Sequence, residues 1–591
     1  MRAPGEELAS TGGYSTENCC TVAATPSAAA GSVLTVERGL YVMIAIAALA
    51  VRLIRLGSAP LLYEELPTAL AATQLLRGLP IATQDYLPLL LNGQLAFLTP
   101  HTSTTSVRLW TALCGGLLPL LAYRERQWLG RIGALAAAGF TAFSPTWVYA
   151  GRTADGAVVA VTLSLLGMGL LRRADNESPR RGLVGMALLG CALTAGPQSL
   201  SIFVAVLGAA LLSGQLATMK RVLGQRAAIA GRQVPVLAVL GLTWALVSTT
   251  FLLLPGGIGA GIELIARWFV AADQASSPPL LQAVLVQAVY EPVVLVLGLY
   301  GLVTGSLQRK QPERMLGWWL LIALLLTTLF GHRSAQWTIT FSLPLTLLAG
   351  RAVQRLVESG SCALDRYGAT ALAAGAVFAT LTLVSTANAL RAPNLAWMAW
   401  LGLALLLATL VAYGIWSTGR SAMKVAVALL LCGTLALSLR GTVALAWDRA
   451  RDPYEPLLRD SVSAQVGELE PLLQSLSVTY SGDPRSVSVV YEQALEPYLA
   501  WSTREYPNAR STVRVSEHSG APILISTARA DGQGPAGYVV QGLILRDTLP
   551  TGGRSVTQAI QWLLQRQRGP VATDEQIQIW VKLQSGGQDG E

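Results

Sequence analysis

The sequence predicts an α-helical polytopic membrane protein with about 13 transmembrane helices and a small α/β domain at its C-terminal end. Of the 591 residues, 52% are hydrophobic and only 13% are charged, whereas soluble proteins carry about 25% charged residues. Apolar runs recur throughout residues 39–447. Residues 448–591 have a net charge of −4 and the rest of the chain +13, so the basic excess indicates membrane topology rather than nucleic-acid binding.

Residues 1–38 are rich in Ala, Ser, Thr and Gly and lack the hydrophobic core of a signal peptide. We interpret them as a disordered cytoplasmic tail. The six cysteines are scattered, with none after residue 447, which indicates neither a disulfide framework nor a CxxC metal site. No cofactor is predicted, and a divalent metal is left open.

Thirteen segments approach the 20 or so apolar residues that a helix needs to cross roughly 30 Å of hydrocarbon. The fifth and sixth segments meet at Gly196-Pro197, where they predict a tight hairpin. The segments lie near residues 39–56, 106–123, 132–150, 155–171, 182–196, 198–216, 233–254, 281–304, 315–331, 338–354, 368–390, 396–416 and 424–446.

The positive-inside rule gives these spans an orientation. With a cytoplasmic N-terminus, the inner loops hold nineteen Lys and Arg residues and the outer side holds seven. The odd number of spans then places the C-terminal domain, residues 448–591, outside the cell. We therefore expect a multi-pass protein of the plasma membrane, with residues 39–447 as its transmembrane domain.

Two outer parts of the chain have predicted structure of their own. The first outer loop, residues 57–105, contains two expected interfacial helices, near residues 67–77 and 87–98. In the C-terminal domain, strand-like runs such as APILIST and QIQIWVKL alternate with helical runs near residues 455–476 and 555–567, a pattern typical of an α/β domain. That domain carries no P-loop, metal-ligand cluster or nucleophile elbow.

The adjacent carboxylates Glu64 and Glu65 follow Tyr63 where the chain leaves the first span, in LLYEELPTALAATQLLRG. Ionisable groups near a bilayer are costly to keep, which makes them candidates for function. One interpretation is a helix cap, because Glu favours the positive end of a helix dipole and Pro67 suits a first turn. The other is a general base at the membrane surface, because partial burial and a like-charged neighbour favour a carboxylate that accepts protons.

Arg152 and Asp155 lie in the short outer turn between the third and fourth spans, in TWVYAGRTADGAVV. They form either a local i,i+3 ion pair, worth about a few tenths of a kcal/mol, or part of a site shared with the first outer loop. The second interpretation follows because consecutive hairpins bring outer turns together.

Glu291 lies about ten residues inside the eighth span, beside Pro292. A carboxylate at that depth either faces a cavity or satisfies backbone groups that the proline leaves free. His332 and Arg333, at the outer end of the ninth span, are either phosphate ligands or ordinary interface residues.

This arrangement resembles that of the GT-C glycosyltransferases, which include protein O-mannosyltransferases and aminoarabinose transferases. In that group an Asp-Glu-type pair of the first outer loop follows the first span, as Glu64-Glu65 does here. The pattern that comes next, an Ala followed by Leu-Leu and a Gly, is matched by Ala72, Leu75, Leu76 and Gly78.

A narrower resemblance covers nearly the whole chain and is to the flippase-activity-associated, archaeal-glycosylation-like family of the GT-C group. Asp85-Tyr86 followed by Pro88 is similar to that family's Asp-x-x-Tyr-His-Gly-Pro segment. Other similar segments are RQWLGRIGALAAAGFTAFSPTWVYAGRTADG, FLLLPGGIGAGIELIARWF, VYEPVVLVLGLYG and EPYLAWSTREYPNA.

The resemblance implies a donor sugar linked to polyprenyl phosphate and an acceptor that is a glycan, a lipid or a protein. We expect Glu64 to act as general base or to orient the acceptor, Glu65 to support it, and Asp155 to be a second carboxylate. The phosphate is expected to bind Arg152 together with Arg267 or Arg333. The remaining residues expected at the substrate are Tyr63, Asp85, Glu291 and His332.

A second interpretation is a catalytically inactive membrane scaffold for the translocation or assembly of lipid-linked sugars. The lack of a His-Gly before Pro88 favours it, and the retained carboxylates argue against it. A third, a secondary transporter, predicts inverted repeats and charges at the bilayer midplane. No internal repeat is seen, and only Glu291 and Arg440 lie deep.

Overall fold

The computed structural model separates into two units, Met1–Leu40 and Tyr41–Glu591. Of the first unit, the structure describes residues 35–40. The described residues are 35–81, 86–98, 102–173, 179–215, 226–229, 232–270, 282–307, 311–329, 337–359, 366–389, 394, 396–450, 452, 455, 457, 462–463, 465–515, 520–528, 536–548, 562 and 572–583. Several predictions fall wholly or almost wholly outside these residues: the N-terminal tail, Asp85, His332 and Arg333, and the helix near 555–567.

Helices make up most of the described residues as far as Val443, and an antiparallel hairpin of β1 (Arg226–Ile229) and β2 (Arg232–Pro235) lies among them. The helices are α1 (Val36–Leu53), α2 (Leu66–Leu76), α3 (Pro88–Phe97), α4 (Thr104–Arg124), α5 (Arg126–Leu129), α6 (Arg131–Phe143), α7 (Pro145–Ala150), α8 (Ala157–Arg172), α9 (Pro179–Leu193), α10 (Gln198–Leu212), α11 (Val236–Ser248), α12 (Gly257–Val270), α13 (Gln282–Tyr290), α14 (Pro292–Leu307), α15 (Gln311–Leu329), α16 (Thr338–Glu358), α17 (Arg366–Ala389), α18 (Ala396–Trp416) and α19 (Gly419–Val443).

Every predicted span coincides with a described helix or pair of helices, and the two helices expected in the first outer loop are α2 and α3. Within the described part of the chain, four helices are long and apolar enough to cross a membrane: Thr104–Arg124, Tyr367–Thr386, Ala396–Trp416 and Gly419–Asp448. The pair Ala283–Tyr290 and Pro292–Gly305, bent by 115°, would be a fifth crossing. The number of thirteen stays a prediction, because the other predicted spans fall on shorter, broken or less apolar helices.

Prolines break two of the predicted spans. The third span divides into α6 and α7 at Ser144-Pro145, where Ser144 Oγ accepts a hydrogen bond from Trp147 N (3.2 Å) and caps α7. The eighth span divides into α13 and α14 at Glu291-Pro292, because proline donates no backbone hydrogen bond and disfavours a helical residue before it. The two breaks meet, since Glu291 accepts a hydrogen bond from Ser144.

The start of α8 lies at the centre of the bundle. Residues Ala157–Val161 are completely buried, and they share one apolar core with side chains of α4, α10, α14, α15 and α16. The turn that precedes α8 contains Asp155 and leads directly into this packed segment, so the packing of α8 fixes the position of Asp155.

The C-terminal domain contains a mixed five-stranded sheet of order β4-β3-β5-β7-β6. β3 pairs in parallel with β4 and β5, and β7 pairs antiparallel with β5 and β6. The strands match the predicted strand-like runs, and the elements are α20 (Val466–Ser481), β3 (Val489–Glu492), α21 (Glu496–Ser502), β4 (Ala509–Thr512), β5 (Ile523–Thr527), β6 (Tyr538–Thr548) and β7 (Ala572–Lys582).

The predicted bounds of the helix near residues 455–476 were wrong at both ends, because α20 begins at Val466 and ends at Ser481. Glu455 lies in a bend instead, where it is buried and accepts a hydrogen bond from the Tyr290 hydroxyl (2.5 Å). This contact with the bent span, and the prolines in the sequence around Glu455, keep the residue out of a helix.

The C-terminal domain packs on the first outer loop. Leu66 of α2 and Leu91 of α3 belong to one buried core with Leu499 of α21 and with residues of the sheet. At the edge of this core, the Arg504 guanidinium donates to the carbonyl oxygen of Thr102 (Nη2, 2.9 Å). The loop and the domain therefore share one apolar interior.

Two glycines allow α6 and α16 to approach closely. A Cβ added to Gly133 would lie 2.6 Å from the carbonyl oxygen of Gly350, and a Cβ added to Gly350 would lie 2.6 Å from that of Gly133. A Cβ added to Gly139, further along α6, would meet nothing within 4 Å.

We expect Gly133→Ala to destabilise the protein by about 1–3 kcal/mol, because the two helix backbones must move apart. Gly139→Ala should instead stabilise it by roughly 0.5–1 kcal/mol, because alanine restricts the unfolded chain more than glycine does. Thermal unfolding of the full-length protein in detergent would report the two changes as Tm shifts of opposite sign. Shifts of the same sign and size would contradict the close approach of α6 and α16.

Candidate active site

The acidic pair forms a turn in which its two members have different surroundings. Residues Tyr63–Glu65 make a single 3-10 turn that runs directly into α2. The Glu65 carboxylate accepts a hydrogen bond from the backbone N–H of Leu62 (2.7 Å), which closes the turn, and Glu65 is completely buried. Glu64, by contrast, is exposed. The helix-cap interpretation thus describes Glu65, while Glu64 is left accessible to a reactant.

Glu65 forms a bidentate ion pair with Arg108 of α4. The Arg108 guanidinium donates from Nε to Glu65 Oε1 (2.8 Å) and from Nη2 to Oε2 (2.5 Å), and the two side chains are 4% and 1% exposed. Oε1 also accepts the backbone N–H of Ala154 (2.6 Å). One carboxylate therefore ties the first outer loop to α4 and to the turn before α8. The remaining Arg108 donors bind the carbonyl oxygens of Leu56, Ala59 and Pro60.

Asp155 lies in this turn and is buried beside the acidic pair. Its Oδ1 accepts the backbone N–H of Ala157 (2.9 Å) at the start of α8, and its Oδ2 is buried with no hydrogen-bond partner in the described protein. Burial raises the pKa of the Asp155 carboxyl well above its usual range; the hydrogen bond from Ala157 opposes the rise, and the charges of Glu64 and Glu65 add to it. The carboxyls of the two segments therefore influence one another electrostatically.

Arg152 caps the end of α1. Its Nη1 donates to the carbonyl oxygens of Val51, Arg52 and Ile54, each at 2.9 Å, and its Nη2 donates to that of Arg55 (3.0 Å). Arginine near a helix C-terminus satisfies carbonyls that have no partner within the helix. In these described residues it forms no ion pair with Asp155, so the first of the two interpretations of this turn is not seen. Its guanidinium is bound by backbone carbonyl oxygens.

A small, partly open cleft lies beside the ion pair, and the space in it that a water-sized molecule can occupy is about 30 Å³. Its polar wall consists of Arg108, Tyr149, Arg152 and Thr153, and its other walls are formed by Leu56, Ala59, Pro60, Leu62, Leu445, Ala450 and Val462. Neither Arg108 nor Tyr149 was predicted from the sequence. Arg108 had a usable signal, because a cation at the start of the second predicted span requires a partner. Tyr149 had none.

Glu291 sits in the bend between α13 and α14 and does not line the cleft. Its carboxylate accepts hydrogen bonds from the hydroxyls of Ser144 and Thr146 and from Gln287 Nε2 (2.6 Å). All of these partners belong to protein segments that meet at the helix breaks. The structure therefore agrees with Glu291 as a polar partner of the breaks rather than as a residue facing a cavity.

The other predicted residues lie apart from this cluster or outside the described chain. Arg267, in α12, pairs with Glu263 one turn before it (3.7 Å). Tyr63 is exposed and contacts the C-terminal domain. Asp85, His332 and Arg333 are outside the described residues. Across the ranges that the structure covers, no group of three His, Cys, Asp or Glu side chains is placed to hold a metal ion.

The fold is similar to that of ArnT from Cupriavidus metallidurans, an aminoarabinose transferase. The ArnT structure bound to undecaprenyl phosphate aligns with a TM-score of 0.53 and 15% identity, over 83% of this chain and 93% of ArnT. The apo ArnT structure also gives 0.53, with 16% identity over 84% and 94%. The chain has a GT-C fold. The resemblance seen in the sequence is thus confirmed at the level of the fold.

A weaker match is to the archaeal oligosaccharyltransferase AglB from Archaeoglobus fulgidus, in complex with an inhibitory peptide and a dolichol-phosphate. It has a TM-score of 0.45 and 11% identity, over 83% of this chain and 69% of AglB. No protein-family model and no curated protein matches the sequence. In this GT-C fold, Glu64 and Glu65 follow α1 in the first long loop, which is the position that the sequence resemblance assigned to the acidic pair.

Arg108→Met should destabilise the protein by about 3–5 kcal/mol, because it leaves the Glu65 carboxylate buried without its counter-ion. Arg172→Met is the matched control: Arg172 pairs with Glu125 at 2.6 Å but is 57% exposed, so its loss should cost less than about 1 kcal/mol. Tm in detergent measures both. Equal small shifts would contradict the anchoring role of the Glu65–Arg108 pair.

Asp155→Asn should stabilise the protein at neutral pH. The raised pKa of Asp155 means that the folded state keeps a proton which the unfolded state loses near pH 4, about the usual Asp value, so stability falls as pH rises above that point. The gain of the variant over wild type should vanish below about pH 4.

Asp483→Asn is the control for this measurement, because Asp483 Oδ1 also accepts a backbone N–H two residues on (Arg485, 2.9 Å) but is exposed. It should give no gain in Tm at neutral pH, because its carboxylate is in contact with water. A Tm difference between Asp155→Asn and wild type that stays constant from acid to neutral pH would contradict the prediction.

Proposed function

We propose that this chain is an integral-membrane glycosyltransferase that moves a sugar from a polyprenyl-phosphate-linked donor to an acceptor at the outer face of the plasma membrane. The observation that supports the proposal is that Glu65 accepts a hydrogen bond from the backbone of Ala154, so the acidic turn meets the Asp155 turn from a distant part of the chain. The neighbouring residues Leu62, Arg108 and Thr153 line the cleft, while the three carboxylates themselves do not. The undecaprenyl phosphate bound to ArnT supports the class of lipid carrier. The orientation, with the N-terminus cytoplasmic, follows the distribution of Lys and Arg.

In the proposed reaction an acceptor hydroxyl attacks the anomeric carbon of the sugar and transfers its proton to Glu64. The bond between that carbon and the phosphate oxygen breaks, and polyprenyl phosphate leaves with the electron pair. Glu64 suits the base because it is exposed in a turn that Glu65 holds in place. Asp155 retains a proton over a wider pH range than an ordinary Asp, so it would donate a hydrogen bond to the leaving phosphate instead of repelling it.

One observation favours a second candidate function, a catalytically inactive scaffold for lipid-linked sugars. The two arginines at the cleft already bind protein acceptors, Arg108 the Glu65 carboxylate and Arg152 the end of α1. A transferase needs positive charge or hydrogen-bond donors at the leaving phosphate. Arg267 and Arg333 are the further candidates for that charge in the transferase proposal.

Glu64→Gln should lower sugar transfer by about 10²–10⁴-fold, since it removes the general base. Asp155→Asn should lower it by about 10²–10³-fold, since it removes the acidic donor to the leaving phosphate. The assay uses the full-length protein in liposomes with undecaprenyl phosphate bearing radiolabelled mannose, glucose, galactose or arabinose, tested singly, and a cell-envelope extract as acceptor. Label that leaves the lipid phase is counted. Glu468→Gln is the control, because Glu468 is an exposed Glu in the first turn of a helix in the C-terminal domain.

Undiminished transfer by both variants would refute the site assignment. A second measurement separates the two candidate functions. Undecaprenyl phosphate should raise the Tm of the wild-type protein in either case, because a ligand that binds the folded state stabilises it. Stabilisation by the lipid without transfer of any of the sugars would refute the transferase and support the scaffold.

A further inference from the structure

The C-terminal domain reaches the acidic turn through two side chains that contact Tyr63. Tyr63 immediately precedes Glu64 and is 46% exposed. Its ring lies 5.8 Å from the ring of Tyr498 in α21, with the two planes inclined at 49°. The guanidinium carbon of Arg546 in β6 lies 6.0 Å from the centre of the Tyr63 ring, at the range of a cation–π contact. Tyr498 and Arg546 both lie more than 400 residues after Tyr63 in the sequence.

The strand that carries Arg546 is irregular at this residue. The pairing of β6 with β7 shifts register between Ile544 and Arg546 and again between Arg546 and Asp547. Such bulges turn a side chain out of the regular alternation and are common beside functional sites. The backbone of Arg546 also forms a β-bridge with Val462, which lines the cleft. Arg546 thus joins the wall of the cleft to the ring of Tyr63.

Arg546 also lies next to the buried hydroxyl of Tyr498. Tyr498 is 6% exposed; burial raises the pKa of its hydroxyl, and the neighbouring positive charge of Arg546 opposes that rise. Glu575, opposite Arg546 in β7, acts in the other direction. The two contacts on Tyr63 are therefore connected to each other, and the three side chains form one cluster.

We propose that Arg546, supplied by the C-terminal domain, is a positioning residue for Glu64. The turn is held at Glu65 by the buried ion pair with Arg108, and at Tyr63 by Arg546 and Tyr498. Glu64 lies between these two attachments in the sequence, so each of them contributes to the position of its backbone. The effect on the reaction rate rests on the proposed transferase function, whereas the effect on the turn does not.

The first measurement needs no activity. Hydrogen exchange of the full-length protein in nanodiscs follows the Glu65 backbone amide, which donates to the Leu62 carbonyl oxygen (2.9 Å). Arg546→Ala should speed this exchange by about 2- to 5-fold, the factor that corresponds to an exposed cation–π contact. Arg546→Lys, which keeps the positive charge, should restore most of the protection. Arg510→Ala is the matched control, because Arg510 is exposed on β4, at the opposite edge of the same sheet.

The second measurement uses the liposome assay with the labelled donor that the wild-type protein turns over. Arg546→Ala should lower kcat by about 10-fold or more while the donor KM stays within about twofold, because a misplaced base slows the chemical step without weakening donor binding. Arg546→Lys should recover the rate. Tyr63→Ala should give at least as large a loss, because it removes the contacts with both Arg546 and Tyr498, and adding Arg546→Ala to it should give no further loss.

Unchanged exchange in Arg546→Ala would overturn the proposal, and so would faster exchange with normal kcat. A loss of rate that Arg546→Lys does not restore, or that Arg510→Ala shares, would also overturn it, since it would show only a general loss of stability. If Glu64→Gln transfers sugar at the wild-type rate, the assignment of Glu64 as base fails, and if the wild-type protein transfers none of the sugars, the proposed function fails. In either case the exchange data alone still decide whether Arg546 holds the turn.

Discussion

The position of the whole candidate site depends on the buried ion pair between Glu65 and Arg108. Burying two charges is costly, and the cost is offset only when geometry is good and the remaining donors and acceptors are satisfied. Here the pair is bidentate, the carboxylate also accepts two backbone N–H groups, and the guanidinium also binds three carbonyl oxygens. These bonds join the first outer loop, α4 and the turn before α8. Each of those segments carries or borders another residue of the site.

The same requirement for hydrogen-bond partners explains why Arg152, which the sequence predicted as a phosphate ligand, binds the backbone instead. A guanidinium has five donor hydrogens in a fixed fork and favours several acceptors at once. Helix ends near a bilayer present unpaired carbonyl oxygens in a region where little water is available to bind them. Arg152 meets that need at the end of α1, two residues beyond which Arg55 adopts a left-handed backbone conformation (φ 53°). An arginine at this place in the fold is therefore explained by helix capping before any ligand is considered.

The sequence predicted the helical membrane fold, the two helices of the first outer loop and the strands of the C-terminal domain. These features follow directly from the spacing of apolar residues and the length of apolar runs. It also predicted that Glu64, Glu65 and Asp155 belong together. It did not separate the roles of Glu64 and Glu65, because the difference comes from Arg108, 43 residues away, which holds one of them in the interior. Nor did it predict the contacts of Tyr63 with the C-terminal domain, since those depend on how a distant sheet packs on the loop.

Asp155 and Glu291 show why burial alone does not identify a functional carboxyl. Both are almost completely buried in the described protein. Glu291 accepts hydrogen bonds from Ser144, Thr146 and Gln287, so its burial is compensated within the protein and its role at the helix breaks is sufficient. Asp155 has one oxygen bound by Ala157 and another with no partner in the described protein, close to two further carboxylates. A buried acceptor left unpaired among like charges is unfavourable for folding. A role of Asp155 in chemistry near the cleft would account for this unpaired oxygen, because a substrate or its proton would supply the missing partner.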